Sequence, residues 1–268
     1  MKPVPFILLA ISLPLLLGGC GEEPVAEVKS VEEKQQEVKP EEPVAETKPA
    51  EAVSVSPHLK YETEGDAVTI TGCDKKASGA LIIPATIEGK PVTSIGGAAF
   101  RGGSNLTSIT IPDSVTSISF QAFWNCESLT SITIPDGVKT IGDWAFYRCT
   151  GLTSVTIPDS VTIIWVVAFF NCTILPSFNV DADNLNYSSV DGVLFNKLQT
   201  SLILYPAGKE DDSYTIPDSV ESIWNGAFSQ CTSLTNITIP DSVESIWNGA
   251  FSECSSLTSV TNPDSVTS

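Results

Sequence analysis

The sequence is poor in positive charge and nearly lacks histidine. Its 268 residues include 14 Lys and Arg against 32 Asp and Glu, a formal net charge of −18, and a single histidine, His58. So few cations cannot form the basic stripe with which proteins neutralise phosphates, so we expect no nucleic-acid partner. A Ser-His-Asp or Cys-His nucleophile would have to recruit His58, which we interpret as a solvated linker residue.

Metal-binding spacings are also missing from the sequence. None of the seven cysteines forms a Cys-x-x-Cys pair, and histidine ligands are lacking, so we expect no zinc site and no cofactor.

Residues 21–57 contain no aromatic residue, and their ten Glu against four Lys give a net charge of −6. Low hydrophobicity, charge repulsion and five prolines predict that residues 20–57 form an acidic, disordered tether.

The N-terminus has the composition of an export signal. Lys2 precedes the apolar run PFILLAISLPLLL, which is too short to span a membrane in a mature protein, and small residues lead to Cys20. The motif Leu17-Gly18-Gly19-Cys20 resembles the lipobox of bacterial lipoproteins. The resemblance implies cleavage after residues 1–19, lipidation of Cys20 and membrane anchoring. Glycine at position 21 implies the outer membrane, if the cell has two membranes; an ordinary signal peptide is the alternative.

The remaining sequence is a repeat. Gaps of 28, 23, 23, 59, 23 and 23 residues separate successive repeat prolines, so the chain is an array of 23-residue units with two insertions. We expect residues 58–80 to cap the array, residues 81–268 to form it, and the longer insertion to cover about 181–213, with a hairpin turning near 196–199. The prolines are Pro84, Pro112, Pro135, Pro158, Pro217, Pro240 and Pro263.

One unit shows the expected structure. Alternating β-branched residues predict a short strand, Pro135-Asp136 a turn, and a second short strand ends at Ile141. The stretch 143–149 has the spacing of one or two helical turns, with Asp143 as N-cap. The apolar positions, expected to face a core between stacked coils, are Leu129, Ile132, Ile134, Val138, Ile141, Ala145, Phe146 and Cys149.

Stacked units of this kind form a repeat solenoid, β-rich with short helical turns, whose strands pair in parallel from coil to coil. The units, such as LTSITIPDSVTSIGDWAFYRC in pattern, resemble the BspA-like leucine-rich repeats of bacterial and some protist surface proteins. That resemblance implies a leucine-rich-repeat-type stack and an adhesion or recognition function. The last unit stops at Ser268 before its Ala-Phe and Cys, so we expect either an uncapped edge or a truncated sequence.

Three ladders of equivalent residues are candidates for chemistry. Cysteines 126, 149, 172, 231 and 254 share one slot, and we expect buried free thiols rather than disulfides. The aspartates after the prolines could attract Ca²⁺, but the favoured interpretation is that each closes its own turn. These aspartates are Asp113, Asp136, Asp159, Asp218, Asp241 and Asp264.

The third ladder is aromatic and supplies the candidate ligand-binding residues. The slot after the inward Ile holds Gly96, Ser119 and Gly142 in the first units and Trp165, Trp224 and Trp247 in later ones. Small residues in the same slot indicate that it lies outside the core or is sterically tight, so we expect the tryptophans to be at least partly exposed. Stacked exposed tryptophans suit sugars and flat apolar groups, and binding is the hypothesis for them. The favoured interpretation of the slot by itself is that they only pack on the neighbouring Val166, Asn225 and Asn248.

Together these features predict an exported, lipid-anchored binding or adhesion module for an extracellular protein or glycan, and not an enzyme. A passive spacer of the envelope is the first alternative. The second is a glycoside hydrolase that uses carboxylates of the insertion, Asp181, Asp183 or Asp191, although Asp191-Gly192 is typical of a turn.

Overall fold

Two columns of short strands run along the described part of the chain. The structure, a computed structural model, describes residues 56–165, 167–261 and 263–266. Among these residues no helix is long and apolar enough to cross a membrane. The predicted signal, Cys20 and the tether up to residue 55 lie outside them. The strands are β1 (Leu59–Glu64), β2 (Ala67–Cys73), β3 (Gly79–Ile82), β4 (Thr86–Ile87), β5 (Lys90–Ile95), β6 (Leu106–Thr110), β7 (Ser117–Ile118), β8 (Ser131–Ile132), β9 (Thr140–Ile141), β10 (Val155–Ile157), β11 (Ile163–Ile164), β12 (Phe178–Val180), β13 (Tyr187–Val190), β14 (Val193–Asn196), β15 (Ser201–Leu204), β16 (Ser213–Thr215), β17 (Ser222–Ile223), β18 (Asn236–Thr238), β19 (Ser245–Ile246) and β20 (Ser259–Thr261).

Each coil contributes one strand to each column, and neighbours pair in parallel, as predicted. The second strands run in the order β2-β5-β7-β9-β11 and then, after the insertion, β15-β17-β19. The first strands follow as β3-β6-β8, β10-β12 and β16-β18-β20. Before the first coil, β1 and β2 form an antiparallel hairpin that turns at Gly65 and Asp66. His58 is half-buried, and its carbonyl accepts a hydrogen bond from the backbone N–H of Asp74 at 2.8 Å, so it belongs to the end of this hairpin rather than to the linker.

The predicted core is confirmed. All eight apolar positions of the unit that starts at Leu129 are at most 5% exposed. The repeated phenylalanines stack along the axis, with ring centroids 5.1 Å apart from Phe100 to Phe123, 5.1 Å from Phe123 to Phe146 and 4.9 Å from Phe146 to Phe169. Such spacing is close to the separation of neighbouring strands, so the coils rise by about one strand spacing.

The predicted helical turns are wrong, because the backbone amides of that stretch bond in another pattern. Ala145, Tyr147 and Cys149 donate to carbonyls three residues back, while the amides between them, Phe146 and Arg148, donate to the next coil. Left-handed backbone at Trp144 (φ 59°) and Arg148 (φ 56°) also interrupts any right-handed helix. The stretch is therefore a ladder of tight turns, and the described residues contain no helix.

The long insertion is a partition between two cores. Its strands β13, β14 and β15 are antiparallel, and β15 then pairs in parallel with β17. Alternate side chains of β14 face opposite ways, so Leu194 joins the N-terminal core while Val193 and Phe195 join the C-terminal one. The chain turns between Asn196 and Ser201, which confirms the predicted hairpin.

Polar side chains of the insertion complete the coil before it. The hydroxyl of Tyr187 accepts a hydrogen bond from the backbone N–H of Ile164, at 2.7 Å, where the parallel column of second strands is interrupted. Burial raises the pKa of this Tyr187 hydroxyl, an effect that the Ile164 N–H partly offsets. Asn184, fully buried, donates to the carbonyls of Pro158 and Val161 and accepts from the amides of Asn186 and Tyr187. These contacts satisfy backbone groups of Pro158, Val161 and Ile164, in the last coil before the insertion.

Candidate functional site

The turn ladder after the second strands carries the candidate ligand-binding residues. Equivalent backbone bonds hold the three predicted tryptophans, because Trp165, Trp224 and Trp247 each donate their N–H to the inward residue of the preceding coil at 2.9–3.0 Å. At Gly142, in the same slot, a Cβ would lie 2.6 Å from a backbone carbon of Ser119 and 2.7 Å from the backbone nitrogen of Phe120. The slot is therefore sterically tight at this N-terminal unit, as the small residues indicated.

The exposure of the tryptophans agrees with the prediction, but unevenly. Trp165 is 54% and Trp247 50% exposed, whereas Trp224 is half-buried and packs against the N-terminal core. The Trp224 and Trp247 rings are stacked, with centroids 6.1 Å apart and an interplanar angle of 10°. Trp224 thus supports Trp247 from below, and the accessible rings of the ladder are Trp165 and Trp247.

The two exposed tryptophans line one shallow depression, which we call the tryptophan depression. Trp165 and Trp247 come from coils on opposite sides of the insertion, and Trp144 of an earlier coil completes the aromatic lining. Two polar residues, Asp143 and Asn225, also line it. The lining residues are Asp143, Trp144, Trp165, Val167, Asn225 and Trp247.

A second aromatic surface adjoins this depression, and the sequence reasoning missed it. We call Trp124, Trp144, Tyr147 and Phe170 the aromatic strip; its rings lie 4.3 Å apart from Trp124 to Tyr147, 4.8 Å from Trp144 to Tyr147 and 6.0 Å from Tyr147 to Phe170. Phe170 in turn contacts Gly226, where a Cβ would lie 2.4 Å from its ring. Four of the five tryptophans therefore lie on the strip or the depression, and the fifth, Trp224, stacks on Trp247.

A sequence signal for the strip was available. The position two residues before the repeat cysteine holds Trp124, Tyr147 and Phe170 in three successive units, and Arg101 in the unit before them. These side chains are half-buried or exposed, unlike the fully buried Phe ladder. Within a helical turn this position would not line up from coil to coil; the ladder of turns aligns it along the solenoid.

The aspartate ladder does not make the predicted turn bonds. All six aspartates are exposed, and the turns are closed by backbone bonds such as Val138 N to Pro135 O at 3.0 Å. The side-chain bond comes from the next residue, as when Ser114 donates to Val92 O and Ser160 to Val138 O. Across the described ranges, no group of three or more His, Cys, Asp and Glu side chains could hold a metal ion.

The carboxylates named for glycoside hydrolysis are turn residues. Asp181 accepts a bond from the backbone N–H of Asp183 at 2.9 Å, which is an Asx turn. Asp191 and Gly192 both have positive φ, 50° and 80°, the conformation of a two-residue hairpin turn. All three aspartates are exposed. Their positions give the enzymatic alternative no support.

The cysteine ladder consists of free thiols, as predicted. Cys126, Cys149 and Cys172 are buried, and each Sγ donates to a backbone carbonyl of the preceding coil at 3.2 Å. Burial raises the pKa of Cys126 and of Cys172 to about 12. Cys254 is half-buried, and the hydrogen bond with Cys231 lowers its pKa.

Alkylation should therefore separate these thiols. At pH 8 we expect iodoacetamide to modify Cys254 of the folded protein first and to leave Cys126, Cys149 and Cys172 unmodified, as read by peptide mass spectrometry. Because the folded protein retains thiol protons that the unfolded chain loses, stability should fall as the pH rises from about 9 to about 12. Rapid labelling of Cys149 in the folded protein, or a pair of thiols missing after unfolding in urea, would contradict this assignment.

The fold is a leucine-rich-repeat-type solenoid. Each coil consists of a strand, an IPDS turn, a second strand and an Ala-Phe turn, and the stacked coils present an aromatic surface outward. The BspA type leucine rich repeat region profile matches six copies, over residues 82–200 and 208–268. The chain belongs to the BspA-type leucine-rich repeat family, as its motifs indicated. No curated protein is a match.

Solved bacterial structures share this fold. The pneumococcal vaccine antigen PcpA is 23% identical with a TM-score of 0.56, over 79% of this chain and 70% of that one. A leucine-rich repeat protein from Eubacterium ventriosum is 25% identical with a TM-score of 0.56, over 77% and 70%. Another from Bacteroides ovatus is 28% identical with a TM-score of 0.53, over 79% of this chain and 54% of that one.

Proposed function

We propose that this chain is an exported, lipid-anchored cell-surface protein that binds an extracellular protein or glycan through the tryptophan depression. The single observation that carries the proposal is the convergence of Trp144, Trp165 and Trp247 on one depression, with two of the rings about half exposed. Exposed aromatic rings that meet in one place are typical of binding surfaces, since large side chains are otherwise withdrawn from water. Membership of a family of bacterial leucine-rich repeat surface proteins supports it.

The anchor is part of the proposal. The motif Leu17–Cys20 supports cleavage and lipidation of Cys20, and, in a cell with two membranes, Gly21 supports the outer membrane as the location of the anchor. Residues 20–57 would then separate the solenoid from the lipid surface, by on the order of 120 Å if fully extended. Mass spectrometry of the protein from its native membrane tests the lipid on Cys20 directly.

A glycan and matrix-protein array tests the binding function. The wild-type protein should bind at least one class of ligand, and Trp165→Ala/Trp247→Ala should weaken that binding at least about tenfold, because two exposed anchors are removed. The control is Leu185→Ala/Leu198→Ala, which removes two apolar side chains that are 81% and 78% exposed on the insertion.

The outcomes separate the alternatives. Equal loss in both double variants would mean that the effect is not specific to the depression. Equal binding by wild type and the tryptophan variant would place the ligand elsewhere. Absence of binding by every form would overturn the proposal in favour of a passive envelope spacer.

A further inference from the structure

The N-terminal end of the aromatic strip carries an exposed cation, Arg101. The chain has only two arginines, and the guanidinium carbon of one, Arg101, lies 5.1 Å from the ring centroid of Trp124. At this distance the ring attracts the cation and restricts its orientation. Trp124 is in turn held by Tyr147, 4.3 Å away, so the guanidinium rests on a supported platform.

Arg101 and a lysine line one depression, which we call the basic depression. Lys75 follows the N-terminal hairpin, while Arg101 and Trp124 come from successive coils. The Asn125 side chain adds an amide beside them. The lining residues are Lys75, Ala98, Arg101, Gly102, Trp124 and Asn125.

These two cations have no acidic partner in the part of the chain that the structure describes. Arg148 pairs with Glu127 at 4.0 Å and Lys209 with Asp211 at 2.6 Å, but neither Lys75 nor Arg101 has a carboxylate within ion-pair distance. Asp74, the nearest acid in sequence, directs Oδ1 to the backbone N–H of Lys76. In a chain of net charge −18, an anion would be repelled by most of the surface and attracted to this depression.

We propose that the basic depression binds the carboxylate groups of an acidic polysaccharide, whose chain continues over the aromatic strip. This inference rests on the proposed function and names its ligand class. A stacked guanidinium presents its N–H groups to a carboxylate in the plane of the ion, and Lys75 adds a second charge. The aromatic side chains from Trp124 to Phe170 offer apolar contact to the C–H groups of sugar rings.

The backbone of the strip favours a polysaccharide over an acidic peptide. Recognition of an extended peptide by strand addition needs unpaired backbone groups at a sheet edge. Here the amides of Gly102, Trp124 and Asn125 donate to Trp124, Gln121 and Tyr147 carbonyls, respectively, at 2.7–3.1 Å. The backbone amides of this surface are therefore occupied. The surface can contact a ligand through aromatic ring faces and charged side chains, but not through backbone hydrogen bonds of the strand-addition type.

The two arginines provide a matched pair of variants. Arg101→Gln and Arg148→Gln change the net charge equally, but only Arg101 lies in the basic depression. The probes are polygalacturonate and hyaluronan, which carry carboxylates, and the methyl ester of polygalacturonate, which is neutral. Binding of the full chain is measured by biolayer interferometry at 0.15 M and 0.5 M NaCl, with folding checked by circular dichroism.

We expect the wild type to bind a carboxylate polymer, to bind the ester at least about tenfold more weakly, and to lose affinity at high salt. Arg101→Gln should weaken binding of the acid about tenfold, and Arg148→Gln by less than about twofold. Equal effects of the two variants, equal binding of acid and ester, or no binding of either acid would overturn the inference.

Failure of this inference can be told from failure of the proposed function. If neutral glycans or matrix proteins bind and Trp165→Ala/Trp247→Ala abolishes that binding, the proposed function stands while the acidic ligand is wrong. If an acidic peptide such as polyglutamate binds as tightly as the polysaccharides and depends equally on Arg101, charge alone is recognised and the sugar assignment is overturned.

Discussion

Replacing Phe146 with alanine should lower the free energy of unfolding by about 3–5 kcal/mol. The ring is fully buried and stacked between Phe123, 9° from parallel at 5.1 Å, and Phe169, 3° from parallel at 4.9 Å. Truncation leaves a cavity that both neighbouring coils line, and a stack of coils closed by hydrogen bonds cannot collapse into it. Urea unfolding followed by circular dichroism measures the change.

Phe120→Ala is the matched control for this prediction. The Phe120 ring is 51% exposed in the preceding coil, so its loss should change stability by no more than about 0.5 kcal/mol. If Phe146→Ala lowered the free energy of unfolding by as little as Phe120→Ala does, the stacked phenylalanines would not be the centre of the core.

The second large effect is expected at Asn184. Alanine here removes four hydrogen bonds and leaves the Val161 carbonyl and the amides of Asn186 and Tyr187 without a partner, while the Pro158 carbonyl keeps only its bond from the Val161 N–H. Since each buried group left unsatisfied costs about 1–3 kcal/mol and the effects overlap, we expect a total loss of about 3–5 kcal/mol. Differential scanning calorimetry should show the corresponding fall in Tm.

Asn179→Ala, at an exposed position of β12, controls for the loss of an amide side chain from the same region. Its Tm should stay near that of the wild type. If Asn184→Ala were equally neutral, the insertion would not depend on this side chain to seal the coil before it.

The repeat period predicted the core because one physical constraint governs it. A side chain such as Phe146 must recur every 23 residues if coils of equal length are to stack, so spacing alone indicates burial. The helical turn was wrong for a reason that spacing does not show. Apolar residues at 145, 146 and 149 suit a helix and a turn ladder equally, and only bonds to the next coil, such as Phe146 N to Ala168 O, decide between them.

The part of the candidate site that the sequence predicted is the slot in which tryptophan replaces the Gly or Ser of earlier units. Trp165, Trp224 and Trp247 stood out because earlier units hold Gly or Ser in their slot, and two of the three are exposed. The convergence of Trp165 and Trp247 with Trp144 was not predictable, since it depends on how the insertion spaces Trp165 from Trp247. Trp224 also meets the insertion, because its backbone N–H donates to the Leu202 carbonyl of β15 at 3.0 Å while its side chain packs against the N-terminal core.

The most direct test of the central claim, that the tryptophan depression binds the ligand, uses the indole N–H signals in a ¹⁵N NMR titration. The five tryptophans give five such signals, assigned by single Trp→Phe variants, and the titrant is the ligand found on the array. We predict that the signals of Trp144, Trp165 and Trp247 shift on binding and that Trp224, half-buried beneath Trp247, shifts less. Saturable binding that leaves all five signals unmoved would contradict the account.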